Sequence, residues 1–429
     1  MQASDTTVNA FHLTHTSGVV NHTITPPASK SESNRVLIID ALAGRQYFLD
    51  NLSNARDTET MRRLLDLIHP FNILNPIPQE NEYDLECDVI DAGTTMRFLT
   101  AYNSIKNKRI LMTGSPRMKE RPIKLLVDAL RELGAVIEYK EKEGYPPILI
   151  HPFKPELAKT DYIKIKGDVS SQYITALLMI APVLPKGLTI ELLGHVGSKP
   201  YIEMTLRLME HFGVTSEWKD NIIKISHQTY KPAQYKVESD WSGSSYWFSI
   251  AALAKEATLE LKGYVKNSLQ GDHVIVDIMD QLGVKTEFTA DGLKLTKQPV
   301  KGNLVWDFTD CPDLAQTVAV ILAAKGVEGT LSGLQSLRIK ETDRIAAIQN
   351  ELRKFGADMI EIEKDVTYKV VPGTFKVDGQ SVHTYEDHRM AMAFAPLALL
   401  GKVTIEEPSV VNKSYPLYWD DLKKVGFVF

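Results

Sequence analysis

Basic side chains are concentrated in two short segments and near the starts of several apolar runs. The segments are GSPRMKERP at 114–122 and RIKETDR at 338–344. Five further cations complete the set: Lys30, Arg35, Arg97, Arg389 and Lys413. A charged loop alone is usually a solvated surface, but cations in the first turn of a helix oppose its dipole and repel each other unless an anion joins them. The pattern therefore predicts a site for small, highly charged anions such as phosphorylated carboxylic acids.

Two carboxylates, Asp313 and Glu341, lie within these basic or helix-start motifs. A structural salt-bridge role competes with acid/base catalysis for both of them. Nearby cations favour the ionised form of a carboxyl group, which suits a base better than a resting acid.

Several common cofactor and metal motifs are absent from the sequence. There is no Walker loop, no GxGxxG after a strand, no HExxH and no CxxC pair. Nucleotide, nicotinamide and zinc sites therefore lack their usual phosphate or metal ligands. We expect no cofactor and no metal.

An internal repeat positions these residues. Amphipathic helical runs end at Gly134, Gly213, Gly283, Gly356 and Gly426, which are 79, 70, 73 and 70 positions apart. Each glycine stands where the residue after a helix turns left-handed. A further copy has His69-Pro70 instead, so six units of about 71 residues span the chain. In the copy that ends at Gly134, one helical face is predicted to hold Leu125, Leu126, Ala129, Leu130 and Leu133.

A second, more apolar helix recurs with the same period, and each copy begins in a polar cluster. The clusters contain Lys30, Asp91, Asp168, Asp240, Asp313 and Asp387, at spacings of 61, 77, 72, 73 and 74 residues. For Asp168 and Asp240, a simple N-cap role and a site role are equally open. Equivalent helix starts point in related directions, so three units per lobe, divided near 232–240, would aim them at one cleft.

Composition limits the class of protein. The chain has 429 residues, a net charge of −5 and a pI near 6.2, which disfavours a general nucleic-acid binder. Its two cysteines, Cys87 and Cys311, cannot form a disulfide framework, and the first residues have no signal-peptide pattern. The longest apolar stretches, 174–184 and 390–400, are too short to span a bilayer. We expect a cytoplasmic protein of two or three domains.

Taken together, the motifs resemble those of the 5-enolpyruvylshikimate-3-phosphate synthase family from about Thr25 to the C-terminus. The motifs that carry the resemblance are SKSESNR at 29–35, AGTTMR at 92–97, PRMKERPI at 116–123, VSSQ at 169–172, SKPYI at 198–202, NSLQGD at 267–272, Pro312-Asp313, KETDR at 340–344, DHRMAM at 387–392 and Lys413. The resemblance implies a two-domain inside-out α/β barrel of the enolpyruvyl transferase type. It implies six pseudo-repeats of about 70 residues, three per domain.

The resemblance also implies a division of labour between the domains. Residues 28–238 would form an N-terminal lobe that carries the shikimate 3-phosphate residues. Residues 1–27 and 239–429 would form a C-terminal lobe that carries the phosphoenolpyruvate and catalytic residues.

The implied reaction transfers the carboxyvinyl group of phosphoenolpyruvate to the 5-hydroxyl of shikimate 3-phosphate and releases phosphate. The resemblance assigns to shikimate 3-phosphate Lys30, Ser31, Arg35, Ser170, Ser171, Gln172, Ser198, Tyr201, Asp313, Ser336 and Lys340. It assigns to phosphoenolpyruvate Lys30, Gly93, Arg121, Gln172, Arg344, Arg389 and Lys413. Asp313 would act on the hydroxyl proton, and either Glu341 or Lys30 would handle the proton at the methylene carbon. The implied partners are the two substrates alone, bound by a monomer without nucleic acid or membrane.

Some positions depart from the family pattern. The departures are Asp91 for Asn, Ala28 for Gly, Phe98 for Pro, Ser336 for Asn and Leu417 for an acidic residue. They leave open the substrate hydrogen bond at Ser336, the shape of the loop at Gly93 and the sensitivity to glyphosate.

Two other functions remain as alternatives. A related transferase acts on a UDP-amino sugar, and most of its members carry a catalytic cysteine in the loop that corresponds to 114–122, which has none here. Cys311 is predicted to be a small buried residue instead. A non-catalytic polyanion-binding module would bind without turnover.

Four other residues near these motifs are predicted to be structural. His388 is expected to brace Asp387 at a helix start. Trp241, Tyr246 and Trp247 are expected to pack in the core or at the interface between the lobes.

Overall fold

The computed structural model describes residues 9–45, 48–69, 82–167 and 170–429. The chain divides into two compact units. One contains the chain up to Ala28 together with Glu238–Phe429, and the other contains Ser29–Val237. The sequence placed the two crossings at 27/28 and 238/239, one residue from those positions. At the crossings, Ala28 pairs with Ser239, and the Asp240 N–H donates to the Pro27 carbonyl oxygen at 2.9 Å.

Helices and strands are interspersed along the chain. The helices are α1 (Lys30–Leu42), α2 (Arg56–Ile68), α3 (Gly93–Asn103), α4 (Pro116–Lys119), α5 (Lys124–Glu132), α6 (Ser171–Ile180), α7 (Lys199–His211), α8 (Trp241–Leu253), α9 (Ile275–Gln281), α10 (Ala315–Lys325), α11 (Arg344–Lys354), α12 (His388–Phe394) and α13 (Tyr418–Lys424). The strands up to the second crossing are β1 (Ala10–His15), β2 (Val19–Ile24), β3 (Phe48–Asp50), β4 (Leu85–Asp88), β5 (Ile110–Thr113), β6 (Ile137–Tyr139), β7 (Ile148–Ile150), β8 (Tyr162–Lys166), β9 (Leu188–Leu193), β10 (Glu217–Lys219), β11 (Ile222–Ile225) and β12 (Gln234–Lys236). The later strands are β13 (Glu256–Lys262), β14 (Val284–Thr289), β15 (Gly292–Lys297), β16 (Leu304–Asp307), β17 (Gly329–Ser332), β18 (Asp358–Glu363), β19 (Thr367–Val371), β20 (Gln380–Val382), β21 (Val403–Glu406) and β22 (Phe427–Val428).

The sheets repeat one topology. The four-stranded sheets have the orders β4-β5-β7-β6, β8-β9-β11-β10, β2-β13-β15-β14, β16-β17-β19-β18 and β20-β21-β1-β22. In each, the first pair is parallel and the other two pairs are antiparallel. β12 and β3 form a parallel two-stranded sheet. This common topology supports the repeat that the glycine spacing predicts.

The two crossings exchange strands between repeats. β2 precedes α1 in the chain but pairs with β13, which follows α8. β12 precedes α8 but pairs with β3, which follows α1. The β2–β13 pair joins the two chain segments of one unit, whereas the β3–β12 pair joins the two ends of the single segment that forms the other unit.

One helix of each repeat is buried around most of its circumference. These helices are α1, α3 and α6 in one unit and α8, α10 and α12 in the other. Every residue of α3 is buried, as expected for a helix enclosed by its own unit. Trp241, Tyr246 and Trp247 on α8 lie in the core, which confirms the packing role predicted for them.

The covering helices end as the sequence predicts. Gly134, Gly213, Gly283, Gly356 and Gly426 have φ between 80° and 100°, each directly after a helix C-cap. After α5, the N–H groups of Gly134 and Ala135 donate to the carbonyls of Arg131 and Leu130 at 3.1 and 3.0 Å. These two bonds form a Schellman motif, which satisfies carbonyls that the helix leaves open.

One detail of the helix predictions is wrong, and two of the predicted positions lie outside the described residues. The prediction for Leu125 is wrong, because its side chain is 45% exposed while Leu126 and Val127 are buried. The buried face of α5 is therefore rotated toward Val127. Asp168 and Pro70 lie outside the described residues. No helix among the described residues is long and apolar enough to cross a membrane.

Candidate active site

Lys30 is the first residue of the buried helix α1. Ser29 caps this helix by accepting a bond from the Glu32 N–H at 3.3 Å. The Lys30 Nζ lies 3.5 Å from Oδ2 of Asp57, at the start of α2. The Lys30 side chain is 18% exposed, whereas that of Asp57 is 3% exposed. The cation is thus accessible at the helix start and is backed by a buried carboxylate.

Arg35 connects two other residues that the sequence assigns to shikimate 3-phosphate, Ser31 and Tyr201. Its Nη1 donates to the Ser31 carbonyl oxygen at 2.8 Å, its Nη2 lies 3.5 Å from the Tyr201 carbonyl oxygen, and its Nε donates to Thr205 Oγ1 at 2.8 Å. Burial lowers the pKa of Arg35 to about 10, so the guanidinium is charged at neutral pH. A buried cation bonded to α1 and α7 therefore fixes the relative positions of Ser31 and Tyr201.

Gly93 lies against two arginines. A Cβ at this position would come within 2.6 Å of Arg121 Nη1 and 2.7 Å of Arg97 Nη1. The Arg97 Nη1 donates to the Gly93 carbonyl oxygen at 2.8 Å. The glycine thus allows both guanidinium groups to approach the start of α3. Sequence reasoning counted Arg97 among the cations but assigned it no substrate.

The starts of α3 and α6 are joined by side chains. Gln172 Nε2 donates to Thr94 Oγ1 at 3.0 Å. Tyr173 donates its hydroxyl to the carbonyl of Pro122, the residue after Arg121, at 2.5 Å. These bonds bring Gln172 and Arg121 into the neighbourhood of Gly93, as their shared assignment to phosphoenolpyruvate requires.

Three serines assigned to shikimate 3-phosphate lie at helix starts. Ser170 is the N-cap of α6, Ser171 is its first residue, and Ser198 is the N-cap of α7. Neither N-cap side chain makes a capping hydrogen bond, and Ser198 has a left-handed φ of 53°. A non-glycine residue in this region is strained, and such strain is concentrated at ligand sites.

In the other unit, Asp313 is the centre of a charge network. Its carboxylate lies 2.9 Å from Arg344 Nη1, 2.9 Å from Arg389 Nη2 and 3.7 Å from Lys340 Nζ. Burial raises the pKa of Asp313, but the charges of Arg389, Lys340 and Arg344 outweigh it and hold the pKa well below its usual range. This agrees with the ionised carboxylate that the sequence pattern predicts.

Glu341 extends the network. Its carboxylate lies 2.8 Å from Arg344 Nη2 and 3.3 Å from Lys413 Nζ. Arg344 also pairs with Asp387 at 2.7 Å, and both of these residues are buried. Four cations (Lys340, Arg344, Arg389 and Lys413) thus face three carboxylates (Asp313, Glu341 and Asp387), which leaves one positive charge in excess.

Local elements explain how the network is held. Asp387 caps α12 by accepting from the Arg389 N–H at 2.9 Å. His388 Nδ1 lies 3.5 Å from Asp387 Oδ1, consistent with the bracing role predicted for it. Asp343 caps α11, so Arg344 begins that helix. Ser336 lies half-buried in a short 3-10 helix, Gln335–Ile339, that leads to Lys340.

Two residues that the sequence did not assign to the site contact it, and a third, Asp272, interacts with the charges of Asp313 and Arg389. Asp57 pairs with Lys30, and the Tyr246 hydroxyl accepts from Arg389 Nη1 at 3.4 Å. Asp272 is buried and accepts a bond from the Ser242 hydroxyl. Burial and the nearby Asp313 raise the pKa of Asp272 to about 7. Asp272 lies in the NSLQGD motif, which was a usable signal, whereas Asp57 stands in a segment with no recognised motif.

The residues assigned to each substrate divide between the two units. For shikimate 3-phosphate, the assigned residues from Lys30 to Tyr201 lie in one unit, and Asp313, Ser336 and Lys340 lie in the other. For phosphoenolpyruvate, Lys30, Gly93, Arg121 and Gln172 lie in one unit, and Arg344, Arg389 and Lys413 lie in the other. The substrate assignments themselves stay predictions.

The reactivity of the two cysteines and the grouping of possible metal ligands bear on the cysteine-dependent sugar transferase and on a metal site. Cys311 is buried, as predicted, and burial raises the pKa of its thiol well above its usual range. Cys87 is also buried, with a pKa raised to about 12. Such thiols are poor nucleophiles at neutral pH. Among the described residues, no three His, Cys, Asp or Glu side chains form a cluster suited to a metal ion.

Comparison with known proteins covers nearly the whole chain. The family model of EPSP synthase (3-phosphoshikimate 1-carboxyvinyltransferase) matches residues 14–422. A 3-phosphoshikimate 1-carboxyvinyltransferase of Bacteroides fragilis (strain YCH46) is 46% identical over 414 residues, which cover 95% of this chain and 96% of the relative. One of Sulfurovum sp. (strain NBC37-1) is 38% identical over 416 residues, with coverage of 93% and 95%.

Solved structures show the same fold. An EPSP synthase from Acinetobacter baumannii matches with a TM-score of 0.75 and 18% identity, over 97% of this chain and 99% of that one. The enolpyruvyl transferase NikO from Streptomyces tendae matches with a TM-score of 0.68 and 14% identity, over 98% of both chains. The predicted fold of the enolpyruvyl transferase type is therefore confirmed.

Proposed function

Because the chain belongs to the EPSP synthase family, we propose that it transfers the carboxyvinyl group of phosphoenolpyruvate to the 5-hydroxyl of shikimate 3-phosphate. The hydroxyl oxygen adds to C2 of phosphoenolpyruvate while its methylene carbon gains a proton. The tetrahedral adduct then loses a proton from the same carbon and expels inorganic phosphate, which restores the double bond. The observation that supports this most directly is the Asp313 carboxylate held among Arg344, Arg389 and Lys340.

Asp313 is the residue that we assign to the hydroxyl proton. In the free protein, three cations share its charge and make it a weak base. Two phosphorylated acids would compete for the same cations, so the carboxylate would become more basic when both substrates are bound. The base would thus reach its working strength only in the ternary complex, which limits reaction of phosphoenolpyruvate with water.

Either Glu341 or Lys30 transfers the proton at the methylene carbon. Glu341 is paired with Arg344 and Lys413, and Lys30 is paired with Asp57. Both are partly exposed at the starts of helices or in the loop before one, where a substrate carbon can reach them.

The remaining assigned residues bind and neutralise the substrates. We assign shikimate 3-phosphate to Ser31, Arg35, Ser170, Ser171, Gln172, Ser198, Tyr201, Ser336 and Lys340, with Lys30 and Asp313. We assign phosphoenolpyruvate to Gly93, Arg121, Gln172, Arg344, Arg389 and Lys413, with Lys30. Guanidinium forks suit carboxylate and phosphate oxygens, so the arginines orient phosphoenolpyruvate as well as balance its charge.

We also propose that the protein acts as a monomer in the cytoplasm and without a cofactor. One chain supplies every residue assigned above, and the reaction as written needs no redox or metal step. Light scattering on a sizing column would test the oligomeric state, since a monomer has a mass of 48.1 kDa.

Phosphate release with different acceptors tests the function. Phosphoenolpyruvate is supplied alone, with shikimate 3-phosphate, or with UDP-N-acetylglucosamine. We expect phosphate to be released from phosphoenolpyruvate only when shikimate 3-phosphate is the acceptor. Release with UDP-N-acetylglucosamine instead would identify the related sugar transferase, and binding of both acids without any release would identify a non-catalytic binding module.

A further inference from the structure

The first two residues of α2 form ion pairs near the site. Asp57 pairs with the assigned residue Lys30, and Arg56 pairs with Asp91, close to the assigned residue Gly93. Asp57 Oδ2 lies 3.5 Å from Nζ of Lys30, the first residue of α1. Arg56 Nη2 lies 2.5 Å from Oδ2 of Asp91, two residues before Gly93. The Asp57 carbonyl oxygen also accepts a bond from Thr95 Oγ1 on α3 at 3.0 Å. The start of α2 is thus bonded to the starts of two buried helices, α1 and α3.

The charge of Asp57 is unusual for its location. A buried carboxylate beside a site for phosphorylated acids repels those acids, so electrostatics alone opposes it. Asp57 is 2% exposed, and its Oδ1 has no hydrogen-bond partner among the described residues. Its position at the positive end of α2 compensates part of the cost of burial. The remaining favourable contact is with Lys30, so the pair holds that ammonium group in one place.

The surroundings of this pair are polar as well as buried. Asn34 follows Lys30 by four residues and so lies on the same side of α1. Its amide atoms and the hydroxyl of Thr58 are buried and have no hydrogen-bond partners within the part of the chain that the structure describes. Buried polar atoms of this kind usually bond ordered water, so α1 and the start of α2 carry buried groups suited to solvation rather than to apolar packing.

The Arg56–Asp91 pair neutralises a second carboxylate near the site, that of Asp91. The family pattern favours Asn at position 91, but this chain has an anion there, near the arginines that line Gly93. Arg56 neutralises this carboxylate and ties the turn before α3 to α2. The departure from the pattern is thus matched by a basic partner in this chain.

We propose that Arg56 and Asp57 are positioning residues: Asp57 fixes the ammonium group of Lys30, and Arg56 neutralises and holds Asp91 before Gly93. Neither residue touches a substrate in this assignment. The inference rests on the proposed function, because it gives Lys30 and Gly93 their roles.

The variant Asp57→Asn tests the first half. The amide keeps the shape but not the charge, so Lys30 is no longer held. We expect kcat to fall about tenfold to a hundredfold, since a catalytic group misplaced by about 1 Å can cost this much. The dissociation constant for shikimate 3-phosphate should stay equal or decrease, because a repelling charge is lost. A matched control is Asp66→Asn, which removes an exposed carboxylate of α2 that pairs with Arg45, and it should change neither quantity.

A pair of charge-removing substitutions, in which the second should rescue the first, tests the role of Arg56. Arg56→Gln should raise KM for phosphoenolpyruvate about fivefold to tenfold, equivalent to one unshielded charge near the surface. Adding Asp91→Asn to this variant should restore most of the loss, since the uncompensated anion is gone. This pair of variants also keeps the inference testable if Asp57→Asn does not fold, as judged by circular dichroism.

Each outcome has a definite meaning. Wild-type kcat in a folded Asp57→Asn variant would overturn the positioning role of Asp57. A parallel loss of kcat, substrate affinity and melting temperature would also overturn it, because it would show a purely structural role. Failure of Asp91→Asn to rescue Arg56→Gln would overturn the role of Arg56. If the wild-type protein itself releases no phosphate with both substrates, the proposed function fails instead.

Discussion

Two carboxylates of one unit, Asp313 and Asp272, have pKa values that shift in opposite directions. Asp313 is ionised because three cations surround it, whereas Asp272, which is buried nearby, has its pKa raised to about 7. Two carboxyl groups in one region thus titrate far apart, as expected when one has cationic partners and the other has mainly a hydroxyl. Their protonation at neutral pH follows from their partners rather than from their residue type.

The raised pKa of Asp272 predicts a pH-dependent stability. In the unfolded chain an aspartic acid titrates near 3.9, so the folded protein binds more protons than the unfolded chain between about pH 4 and pH 7. Stability associated with this group is therefore greatest below about pH 4 and is lost as pH rises to about 7. Asp272→Asn removes the titration and retains a hydrogen-bonding partner for Ser242.

We expect Asp272→Asn to melt at a higher temperature than wild type at pH 8 and at a similar temperature at pH 4.5. Thermal scans of both proteins by circular dichroism at a series of pH values would measure the difference. The charged neighbours Asp313, Arg389 and Asp240 are unchanged in the comparison. A difference that is the same at both pH values would contradict the assignment.

At the scale of single elements, the sequence predicted most of what positions the site. Glycine spacing and helical periodicity located the covering helices, because a left-handed residue after a helix has a strong preference for glycine. Polar clusters located the starts of the buried helices. The face of α5 was misjudged at Leu125, since consecutive leucines do not show by themselves which side of a helix is buried.

The glycine after α5 provides a test at this scale. Gly134 has φ of 99°, and a Cβ would come within 2.7 Å of the Lys154 carbonyl oxygen. Gly134→Ala should therefore lower the free energy of unfolding by about 1–2 kcal/mol or more from the backbone conformation alone. Gly197→Ala is the control, because a Cβ there would meet nothing within 4 Å.

Urea unfolding of the two variants and the wild type would measure these changes. A loss for Gly134→Ala no larger than that for Gly197→Ala would contradict the argument. The same reasoning applies at the four equivalent glycines, which share the left-handed conformation.

At the scale of the whole molecule, the sequence predicted the fold class, which the comparison with known structures confirms. It could not predict contacts between residues that have no common motif. The Lys30–Asp57 pair joins two helices through a segment without a recognisable signal. Tyr246 was predicted to pack in the core or between the lobes, although its hydroxyl also reaches Arg389. Such contacts depend on packing in three dimensions, which local patterns do not encode.

The division of the assigned residues between two units gives the account its central claim. Under the proposed assignment, both units contribute cations that bind the substrates, so neither alone holds the complete set. The chain as a whole should therefore bind two phosphorylated acids and transfer the carboxyvinyl group from one to the other.

The most direct test follows the phosphorus atoms during the reaction of the complete protein. Phosphorus NMR with phosphoenolpyruvate and shikimate 3-phosphate should show the phosphoenolpyruvate signal replaced by an equal amount of inorganic phosphate, while the phosphate ester of the shikimate ring is retained. Without shikimate 3-phosphate, the phosphoenolpyruvate signal should persist. Loss of the ring phosphate, or equal release of phosphate in the absence of the acceptor, would contradict carboxyvinyl transfer.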